Sequence, residues 1–447
     1  MKRIKRVFVA NRGEIALRIV TACEELGLES VVGTSDIDRD GLAARCADRA
    51  VVIGPGPASQ SYLRDDVVVQ AALGTGCDAI HPGYGFLAES PKLAARAREH
   101  GLVFVGPPAE VIELSGDKLR AREEAERAGV PILPGQEVSS PAQAREVGHG
   151  IGYPLLVKAA GGGGGRGIKL ARDADELDAL LALARSEAGA AFGDERLYLE
   201  RFIAAARHVE VQIAADGGGE VVHLGERDCS VQRRYQKVIE EAPAPALEPA
   251  VRDAIRAAAV RLARAIGYRN LGTVEFVVDS ETGAYYFLEI NCRIQVEHPV
   301  TEAVTGRDLV ALQLHVADGK ALGFTQAEVA LDGHAIECRL NAEDVARGFL
   351  PTPGTLSLFS IPGLPALRVD TQCYPGAVIP PYYDSLMAKL IAHAPDRDAA
   401  IDILLDALED VDVEGVETNR TLLISVLGHD DFRRGAVTTD WLERAIV

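Results

Sequence analysis

Short apolar segments alternate with amphipathic segments through the first quarter of the chain. The segments RVFVA, ESVVGTS, RAVVIG, CDAIHPG and LVFVGPP are predicted to be strands, and residues 14–26 have the apolar spacing of a helix. Strands that alternate with helices predict a doubly wound, Rossmann-like parallel sheet. The turns at 11–14 and 81–85 then lie at the carboxyl ends of strands, where such sheets bind ligands. The alternative is that these glycine turns are only tight connections.

After residue 116 the pattern changes to a mixed one and then to a β-rich one. HVEVQIAAD alternates polar and apolar residues and is followed, after a glycine turn, by the second β-prone segment EVVHLGERD. GTVEFVVD and AYYFLEIN predict an antiparallel hairpin. From about residue 333 we expect a smaller α+β domain, continuous with the preceding one. Further helices are predicted at 117–128, 142–150, 173–190, 249–266, 397–408 and 418–426.

A run of five glycines, residues 161–165, interrupts two short β-prone segments, PLLVKAA and GIKLA. Each glycine costs roughly 0.5–1 kcal/mol of chain entropy relative to alanine, so a run of five needs a reason. Lys158 and Arg166 flank it with positive charge, which suits a mobile flap whose N–H groups face phosphates. The alternative is a floppy hairpin tip. A formal G-x-G-x-x-G match is set aside because a strand follows it instead of a helix, and the lysine of a Walker A loop is missing.

Two carboxylates are predicted to meet on the hairpin formed by GTVEFVVD and AYYFLEIN. A period of two places Tyr285, Phe287, Glu289 and Asn291 on one face, and Glu275 interrupts the apolar run of the partner strand. At about 4 Å and an effective dielectric of about 20, two such charges repel by about 4 kcal/mol. A magnesium ion would remove that cost. The alternative is an exposed hairpin face.

The polar residues continue at alternate positions beyond the hairpin as Arg293, Gln295 and Glu297. We expect one extended segment that leads from nucleotide phosphates to a small anionic substrate and ends at His298 and Pro299. A strand face with five polar groups is unsuited to packing in a hydrophobic core, which favours a functional role for these residues.

A second polar stretch, ERDCSVQRRYQK, contains a basic run ending in Lys237. A solvated face is the usual explanation for such a run. Its expected closeness to the glycine flap favours Lys237 as an anion ligand. His208 on its alternating strand and Arg339 in IECRLNAED remain open between structural and functional roles.

Composition narrows the class of protein. The chain has 447 residues, 47% hydrophobic and 25% charged, with a net charge of −19, which argues against non-specific binding to nucleic acid. Seven scattered cysteines without a C-x-x-C pair fit free thiols in a reducing cytoplasm. No apolar run is long enough for a signal peptide or a membrane span.

Taken together, the ordered segments resemble the biotin carboxylase family of ATP-grasp ligases. The resemblance rests on ANRGEIALRI, HPGYGFLAE, KAAGGGGGRGI, RHVEVQI, ERDCSVQRRYQK, EFVVD, EINCRIQVEHPVTE, HAIECRLNAED and PPYYDSLMAKLI, so it covers essentially the whole chain. It implies an α/β protein with three parts. These are a Rossmann-like domain at 1–115, an ATP-grasp domain at 116–332 with a mobile lid at about 130–203, and a C-terminal α+β domain at 333–447.

The resemblance also implies a role for each candidate site residue. Phosphates of ATP would contact Lys118, Lys158, Gly164 and Gly165. Adenine would lie against Glu200, Arg201, Phe202 and Ile203, with His208 and Gln232 nearby. Two Mg²⁺ (or Mn²⁺) ions would be held by Glu275, Glu289 and Asn291. Bicarbonate would bind Lys237, Arg293, Gln295 and the Val296 backbone. Glu297 would deprotonate bicarbonate, and Arg339 would stabilise the biotin enolate.

The implied reaction carboxylates biotin with ATP and bicarbonate through carboxyphosphate, as the first half-reaction of an acyl-CoA carboxylase such as that of fatty acid biosynthesis. The only methionines are Met1 and Met387, so a Met-Lys-Met biotinyl site is missing and biotin is expected on a separate carrier protein, unless the chain is an excised domain. Carboxyltransferase subunits and a second copy of the chain are the other expected partners, with no nucleic acid and no membrane. Tyr235 and Cys292 depart from the family pattern.

Alternatives to this interpretation stay open. The chain would then be another ATP-grasp ligase, the biotin carboxylase part of a pyruvate-carboxylase-type enzyme, a nucleotide-dependent oxidoreductase, or a non-catalytic nucleotide sensor.

Overall fold

This computed structural model describes residues 4–159, 168–192 and 195–445. The first part of the chain forms a five-stranded parallel sheet in the order β3-β2-β1-β4-β5, as the alternating pattern predicted. Val7, Phe8 and Val9 of the central strand are fully buried, because helices cover both faces of the sheet. The elements are β1 (Arg6–Val9), α1 (Gly13–Glu25), β2 (Glu29–Ser35), α2 (Leu42–Cys46), β3 (Arg49–Gly54), α3 (Asp65–Gly74), β4 (Ala79–His81), α4 (Pro91–Glu99), β5 (Val103–Phe104) and α5 (Ala109–Gly116).

A smaller four-stranded sheet follows, in the order β6-β9-β7-β8. The predicted hairpin is confirmed, since Leu155 pairs with Ala171 and Val157 with Lys169. The glycine run between its strands lies outside the described residues. The elements of this part are α6 (Lys118–Arg127), β6 (Gly135–Val138), α7 (Pro141–Ile151), β7 (Leu155–Ala159), β8 (Lys169–Ala171), α8 (Ala174–Phe192) and β9 (Leu197–Arg201).

The largest sheet has eight strands in the order β14-β13-β10-β11-β12-β15-β22-β20. Strand β12 pairs with β15, so the sheet continues across the division expected at residue 333. The first set of its elements is β10 (Ala206–Ala215), β11 (Val221–Arg233), β12 (Gln236–Ala242), α9 (Pro249–Ala265), β13 (Asn270–Asp279), β14 (Tyr285–Asn291), α10 (His298–Thr305) and α11 (Leu309–Ala317).

The remaining elements include the last strands of this sheet and three separate two-stranded sheets. They are β15 (His334–Asn341), β16 (Glu343–Asp344), β17 (Leu350–Pro351), β18 (Gly354–Thr355), β19 (Leu358–Ser360), β20 (Leu367–Thr371), β21 (Val378–Ile379), β22 (Leu386–Ala394), α12 (Arg397–Glu409), β23 (Asp412–Glu414), α13 (Arg420–Gly428), α14 (Asp430–Arg433) and α15 (Trp441–Ala445). Within the described ranges, no helix is both long and apolar enough to cross a membrane.

The prediction that Tyr285 and Phe287 share one face of β14 with Glu289 and Asn291 is wrong. Glu275 pairs with Glu289, but the next pair is Phe276 with Phe287, so Leu288 is the extra residue of a bulge. A bulge shifts the alternation by one position. Phe287 therefore packs into the hydrophobic core beside Phe276, while Glu289 stays beside Glu275.

The prediction that one extended segment runs to residue 297 is also wrong. Strand β14 ends at Asn291, residues 292–297 form a loop, and His298 begins helix α10. Pro299 fits the first turn of that helix because its missing N–H has no partner there in any case. The proline therefore starts a helix instead of only ending a strand.

Candidate active site

A cavity of about 750 Å³ lies between the N-terminal domain, the small sheet and the large sheet. Seventeen of the nineteen candidate residues line it, and the other two, Gly164 and Gly165, lie outside the described residues. The lining candidates are Lys118, Lys158, Glu200, Arg201, Phe202, Ile203, His208, Gln232, Lys237, Glu275, Glu289, Asn291, Arg293, Gln295, Val296, Glu297 and Arg339. Segments far apart in the sequence thus form one site.

A row of glutamates crosses the large sheet and is interrupted on β11 by Arg227, which lies opposite Glu210. Glu289 is opposite Glu275, and Glu275 is opposite Glu210 on the next strand. Glu240 and Glu337 are likewise opposite each other on β12 and β15. Because neighbouring strands are 4.7–4.9 Å apart, directly opposite side chains lie within contact distance. Such a row needs cations to offset its charge.

Lys237 supplies one of these cations at the centre of the row. Its Nζ lies 2.6 Å from Glu210 Oε2, 2.6 Å from Glu297 Oε1 and 3.3 Å from Glu275 Oε1. Burial alone would lower the pKa of this ammonium, but the surrounding anionic groups raise it well above its usual value. Lys237 therefore stays charged.

Glu297 is held between two cations. Its Oε1 accepts a hydrogen bond from Lys237, and its Oε2 accepts one of 2.9 Å from Arg339 Nη2, with only 1% of the residue exposed. Burial would raise the pKa of this carboxyl, but the positive charges of Lys237 and Arg339 outweigh it and hold the pKa below its usual value. Glu297 is thus ionised and able to accept a proton.

Arg339 has a second carboxylate partner, the buried Glu240. Burial, only partly opposed by Arg339, raises the pKa of Glu240 to about 7. The guanidinium thus joins an ionised carboxylate to one that titrates near neutrality. Since a guanidinium remains protonated throughout this range, it supplies a permanent positive charge at the cavity wall.

The pair Glu275 and Glu289 fits a divalent cation. Asn291 Nδ2 donates to Glu275 Oε1 over 2.6 Å, and Glu289 has a more distant partner, Lys118 Nζ at 3.8 Å. Hard cations prefer carboxylate and amide oxygens of this kind. Gly272 leaves room for the packing here, because a Cβ at this position would clash with the Tyr268 side chain and lie 2.8 Å from the Asn291 carbonyl oxygen. The geometry suits the three residues proposed as metal ligands.

His208 adds a nitrogen to the same cluster. Its Nε2 lies 2.6 Å from Glu275 Oε2, and its Nδ1 lies 2.9 Å from Gln232 Nε2. One oxygen or nitrogen from each of His208, Glu210 and Glu275 could also meet at a single ion. The contacts bring His208 and Gln232 to the acidic pair.

The loop after β14 turns its polar side chains towards the cavity. Arg293 donates to Gln295 Oε1 over 2.7 Å and to Asn291 Oδ1 over 3.1 Å, and its Nε lies 3.2 Å from Glu89. Gln295 in turn donates to Glu275 Oε1 over 2.9 Å. A guanidinium and an amide thus face the same space as Lys237, an arrangement that can bind a small planar anion.

The far end of the cavity is formed by the small sheet. Lys158 forms an ion pair with the buried Glu200, which also accepts a hydrogen bond of 3.2 Å from Arg122 Nη1. Apolar side chains that the sequence did not single out complete this end, namely Leu133, Leu156 and Leu288. A slot with apolar walls and a polar edge suits a planar ring.

Several buried partners were missed from the sequence. Glu210, Glu240 and Glu89 each contact a catalytic candidate, yet none was singled out, although Glu210 and Glu89 lie within the quoted segments RHVEVQI and HPGYGFLAE. Glu210 could have been found, because it shares the alternating face of His208 in RHVEVQI. The segment that contains Glu89 gave no indication of its partner, and Glu240 gave no signal at all, since Arg293 and Arg339 come from distant segments.

The two departures from the family pattern both line the cavity. Tyr235 lies in the turn between β11 and β12 with a φ of 67° and 51% of its surface exposed. Cys292 is buried, and its Sγ lies 3.1 Å from Ser115 Oγ. Burial raises the pKa of this thiol to about 12. Cys292 does not displace its neighbours, because Asn291 and Arg293 both reach the cavity.

Three family models match the chain in sequence. They are the biotin carboxylase N-terminal domain at residues 3–112, the carbamoyl-phosphate synthase L chain ATP-binding domain at 117–325, and the biotin carboxylase C-terminal domain at 337–444. Biotin carboxylase from Pseudomonas aeruginosa is 47% identical over 446 residues, which are 99% of both chains.

Solved structures give the same result. The biotin carboxylase domain dimer of Hydrogenobacter thermophilus 2-oxoglutarate carboxylase, in complex with MgADP, ADP and bicarbonate, matches with a TM-score of 0.95 at 45% identity, covering 99% of this chain and 98% of that one. The complex of Campylobacter jejuni biotin carboxylase with a β,γ-ATP ligand matches with a TM-score of 0.96 at 40% identity, covering 99% of both chains.

Proposed function

The chain belongs to the biotin carboxylase family, and we propose that it catalyses the ATP- and bicarbonate-dependent carboxylation of biotin. The products are carboxybiotin, ADP and phosphate. One observation carries the proposal, namely the ionised Glu297 between Lys237 and Arg339 in a cavity that extends to Lys118 and Lys158. A base, anion-binding cations and a nucleotide slot are what the reaction requires.

Bicarbonate is held by Lys237, Arg293, Gln295 and the backbone of Val296. Glu297 then removes its proton, because bicarbonate is a weak nucleophile until it is deprotonated. The resulting oxygen attacks the γ-phosphorus of ATP, which gives carboxyphosphate and ADP. Lys237 and Arg293 stabilise the negative charge that develops during this step.

Biotin is carboxylated beside Arg339. Carboxyphosphate releases CO₂ and phosphate, the phosphate takes the N1′ proton of biotin, and N1′ attacks CO₂. Arg339 stabilises the enolate oxygen of biotin, and its Nη2 contacts with Glu240 and Glu297 support this role because they fix the guanidinium at the cavity wall.

ATP is bound between the small and large sheets. Lys118 and Lys158 contact its phosphates, and its adenine lies against Glu200, Arg201, Phe202 and Ile203, with His208 and Gln232 nearby. Glu275, Glu289 and Asn291 hold Mg²⁺ (or Mn²⁺), which neutralises phosphate charge when bound. Gly164 and Gly165 belong to a lid at about 130–203. The separate hydrophobic cluster of the small sheet, from Val138 to Leu199, supports a unit that moves as one body.

The domain limits follow as 1–115, 116–332 and 333–447, which the spans of the three matched models support. The working form is a homodimer that receives biotin on a carrier protein and passes it to carboxyltransferase subunits. The dimeric structure of the Hydrogenobacter relative supports the homodimer. All seven cysteines are free, which supports a cytoplasmic location.

The test is ATP hydrolysis by the purified chain with Mg²⁺, with bicarbonate and free biotin each added or withheld. We expect hydrolysis that depends on bicarbonate and is stimulated by biotin, with carboxybiotin detected by ¹⁴C transfer. Equal hydrolysis with and without bicarbonate would reject the proposal. An amino acid or ammonia that stimulates turnover in place of bicarbonate would indicate another ATP-grasp ligase.

A further inference from the structure

Lys389, on strand β22, is a fully buried lysine that the sequence did not single out. Its Nζ donates a hydrogen bond of 2.9 Å to the carbonyl oxygen of Val296 and lies 3.2 Å from Glu14 Oε1 and 3.7 Å from Asp370 Oδ2. Burial would lower the pKa of this ammonium, but Glu14 and other buried carboxyls raise it above its usual value. A charged lysine in the interior is costly unless its partners are well placed.

The partners of Lys389 come from separate parts of the chain. Glu14 lies in α1 of the N-terminal domain, and Asp370 lies opposite Lys389 on the neighbouring strand β20. On its other side Lys389 is opposite Arg339 on β15. The ammonium therefore connects the N-terminal domain and the C-terminal strands to the loop that carries Val296.

The loop at 292–297 depends on such contacts because it has no strand partner. The Gln295 carbonyl oxygen lies 2.7 Å from His298 Nδ1, so the next helix holds that peptide. The following carbonyl, that of Val296, has Lys389 as its donor. Two successive peptides are thus fixed from two directions, and the second of them joins Val296 to Glu297.

We propose that Lys389 is a positioning residue for bicarbonate, which fixes the peptide between Val296 and Glu297 so that the loop presents its anion-binding groups and its base together. This rests on the proposed function. Lys389 does not contact the substrate. Its effect is to keep the loop in the binding conformation before bicarbonate arrives, which avoids ordering costs on binding.

The decisive variant is Lys389→Met, which removes the ammonium and keeps the length of the side chain. We expect the KM for bicarbonate to rise about tenfold or more, as loss of one charge-assisted hydrogen bond implies, while the KM for ATP stays within twofold. Backbone hydrogen exchange of residues 293–300 in the free protein should become faster by a similar factor. Asp370→Asn removes a partner of Lys389 but keeps its bond to Val296, so it should lower the melting temperature without changing the KM for bicarbonate. Lys92→Met is the matched exposed control.

If Lys389→Met does not fold, the double variant Lys389→Met/Asp370→Asn is measured in its place. It removes one positive and one negative buried charge together, so the net charge of the buried cluster is unchanged. A folded variant with an unchanged KM for bicarbonate and unchanged exchange in 293–300 would overturn the proposal. So would Asp370→Asn raising that KM as much as Lys389→Met, since the effect would then be general destabilisation. The exchange measurement needs no substrate, so it tests this role of Lys389 separately. Failure of the proposed function would be seen instead as bicarbonate-independent hydrolysis by the wild-type protein.

Discussion

Glu297→Gln is the substitution that tests the site most directly, because it removes one charge and almost no volume. Glu297 Oε1 accepts from Lys237 Nζ over 2.6 Å, and Oε2 accepts from Arg339 Nη2 over 2.9 Å. A glutamine has one accepting oxygen and one donating nitrogen, so it can satisfy only one of these two donors. The other cation loses a partner.

The expected loss of stability is modest. Breaking a buried ion pair costs about 3–5 kcal/mol when the remaining charge is left alone. Here Lys237 keeps Glu210, and Arg339 keeps Glu240. We therefore expect a cost close to that of one charge-assisted hydrogen bond, about 2 kcal/mol, and a melting temperature a few degrees lower at most. The variant should remain folded.

The expected loss of activity is much larger. A positioned general base contributes a factor of about 10² to 10⁴, so bicarbonate-dependent kcat should fall by that factor. Binding of a non-hydrolysable ATP analogue should stay within twofold, because the residues proposed to bind the nucleotide are unchanged. Phosphate release measures the first quantity and calorimetric titration the second. Glu110→Gln, at an exposed pair with Arg98, is the matched control and should behave as wild type.

Two results would contradict this reasoning. A kcat within tenfold of the wild-type value would show that Glu297 is not the base. An equal fall in kcat and in affinity for the ATP analogue would show that the substitution damages the nucleotide site, and the role of Glu297 would then have to be reassigned.

Three further substitutions address other parts of the site. Arg339→Ala should abolish biotin stimulation and carboxybiotin formation while leaving most of the slow biotin-independent ATP hydrolysis, whereas full ¹⁴C transfer by this variant would exclude the enolate role. Glu289→Gln should raise the Mg²⁺ concentration needed for half-maximal activity by about tenfold, because one of the two facing carboxylates no longer attracts the ion; an unchanged magnesium titration would remove Glu289 from the ligand set. The third is Glu240→Gln. The pKa of Glu240 is raised from 4.5 to about 7, so the folded protein retains a proton that the unfolded chain loses, and wild-type stability falls as pH rises between these values. The free energy of unfolding of Glu240→Gln minus that of the wild type, measured with denaturant, should therefore be larger at pH 8 than at pH 5 by on the order of 2–3 kcal/mol. A difference that does not depend on pH would contradict the raised pKa.

The local patterns of the sequence were sufficient for much of the fold. Alternating strands and helices predicted the parallel sheet, and the segments on either side of the glycine run predicted the hairpin in which Leu155 pairs with Ala171. Apart from the pairing of β1 with β4, these contacts join neighbouring segments of the chain. The bulge at Leu288 was not predictable in this way, because the period of two contains no sign of which residue is left without a partner.

The site was predictable where its residues share a strand or a motif. Glu275, Glu289 and Asn291 were expected together from one hairpin, and the structure places Glu275 opposite Glu289, with Asn291 Nδ2 2.6 Å from Glu275 Oε1. Glu240 and Lys389 were not expected, because their neighbours Arg339 and Val296 come from strands and loops about a hundred residues away in the sequence. Register between distant strands is set by the packed sheet as a whole.

The pairing of charges bears on how a chain with a net charge of −19 can bind anionic substrates. Each lysine or arginine proposed to face an anion already has a carboxylate partner. The pairs are Lys158 with Glu200, Lys118 with Glu289, Lys237 with Glu297, Arg293 with Glu89, and Arg339 with Glu240. An incoming anion must therefore share or replace a carboxylate, and the electrostatic gain is the difference between two attractions. A divalent cation at Glu275 and Glu289 changes this balance, because it neutralises the carboxylate that Lys118 would otherwise attract. At the proposed metal site, the acidic pair would thus promote nucleotide binding through the metal and also through Lys118, which the metal would leave available to the phosphates.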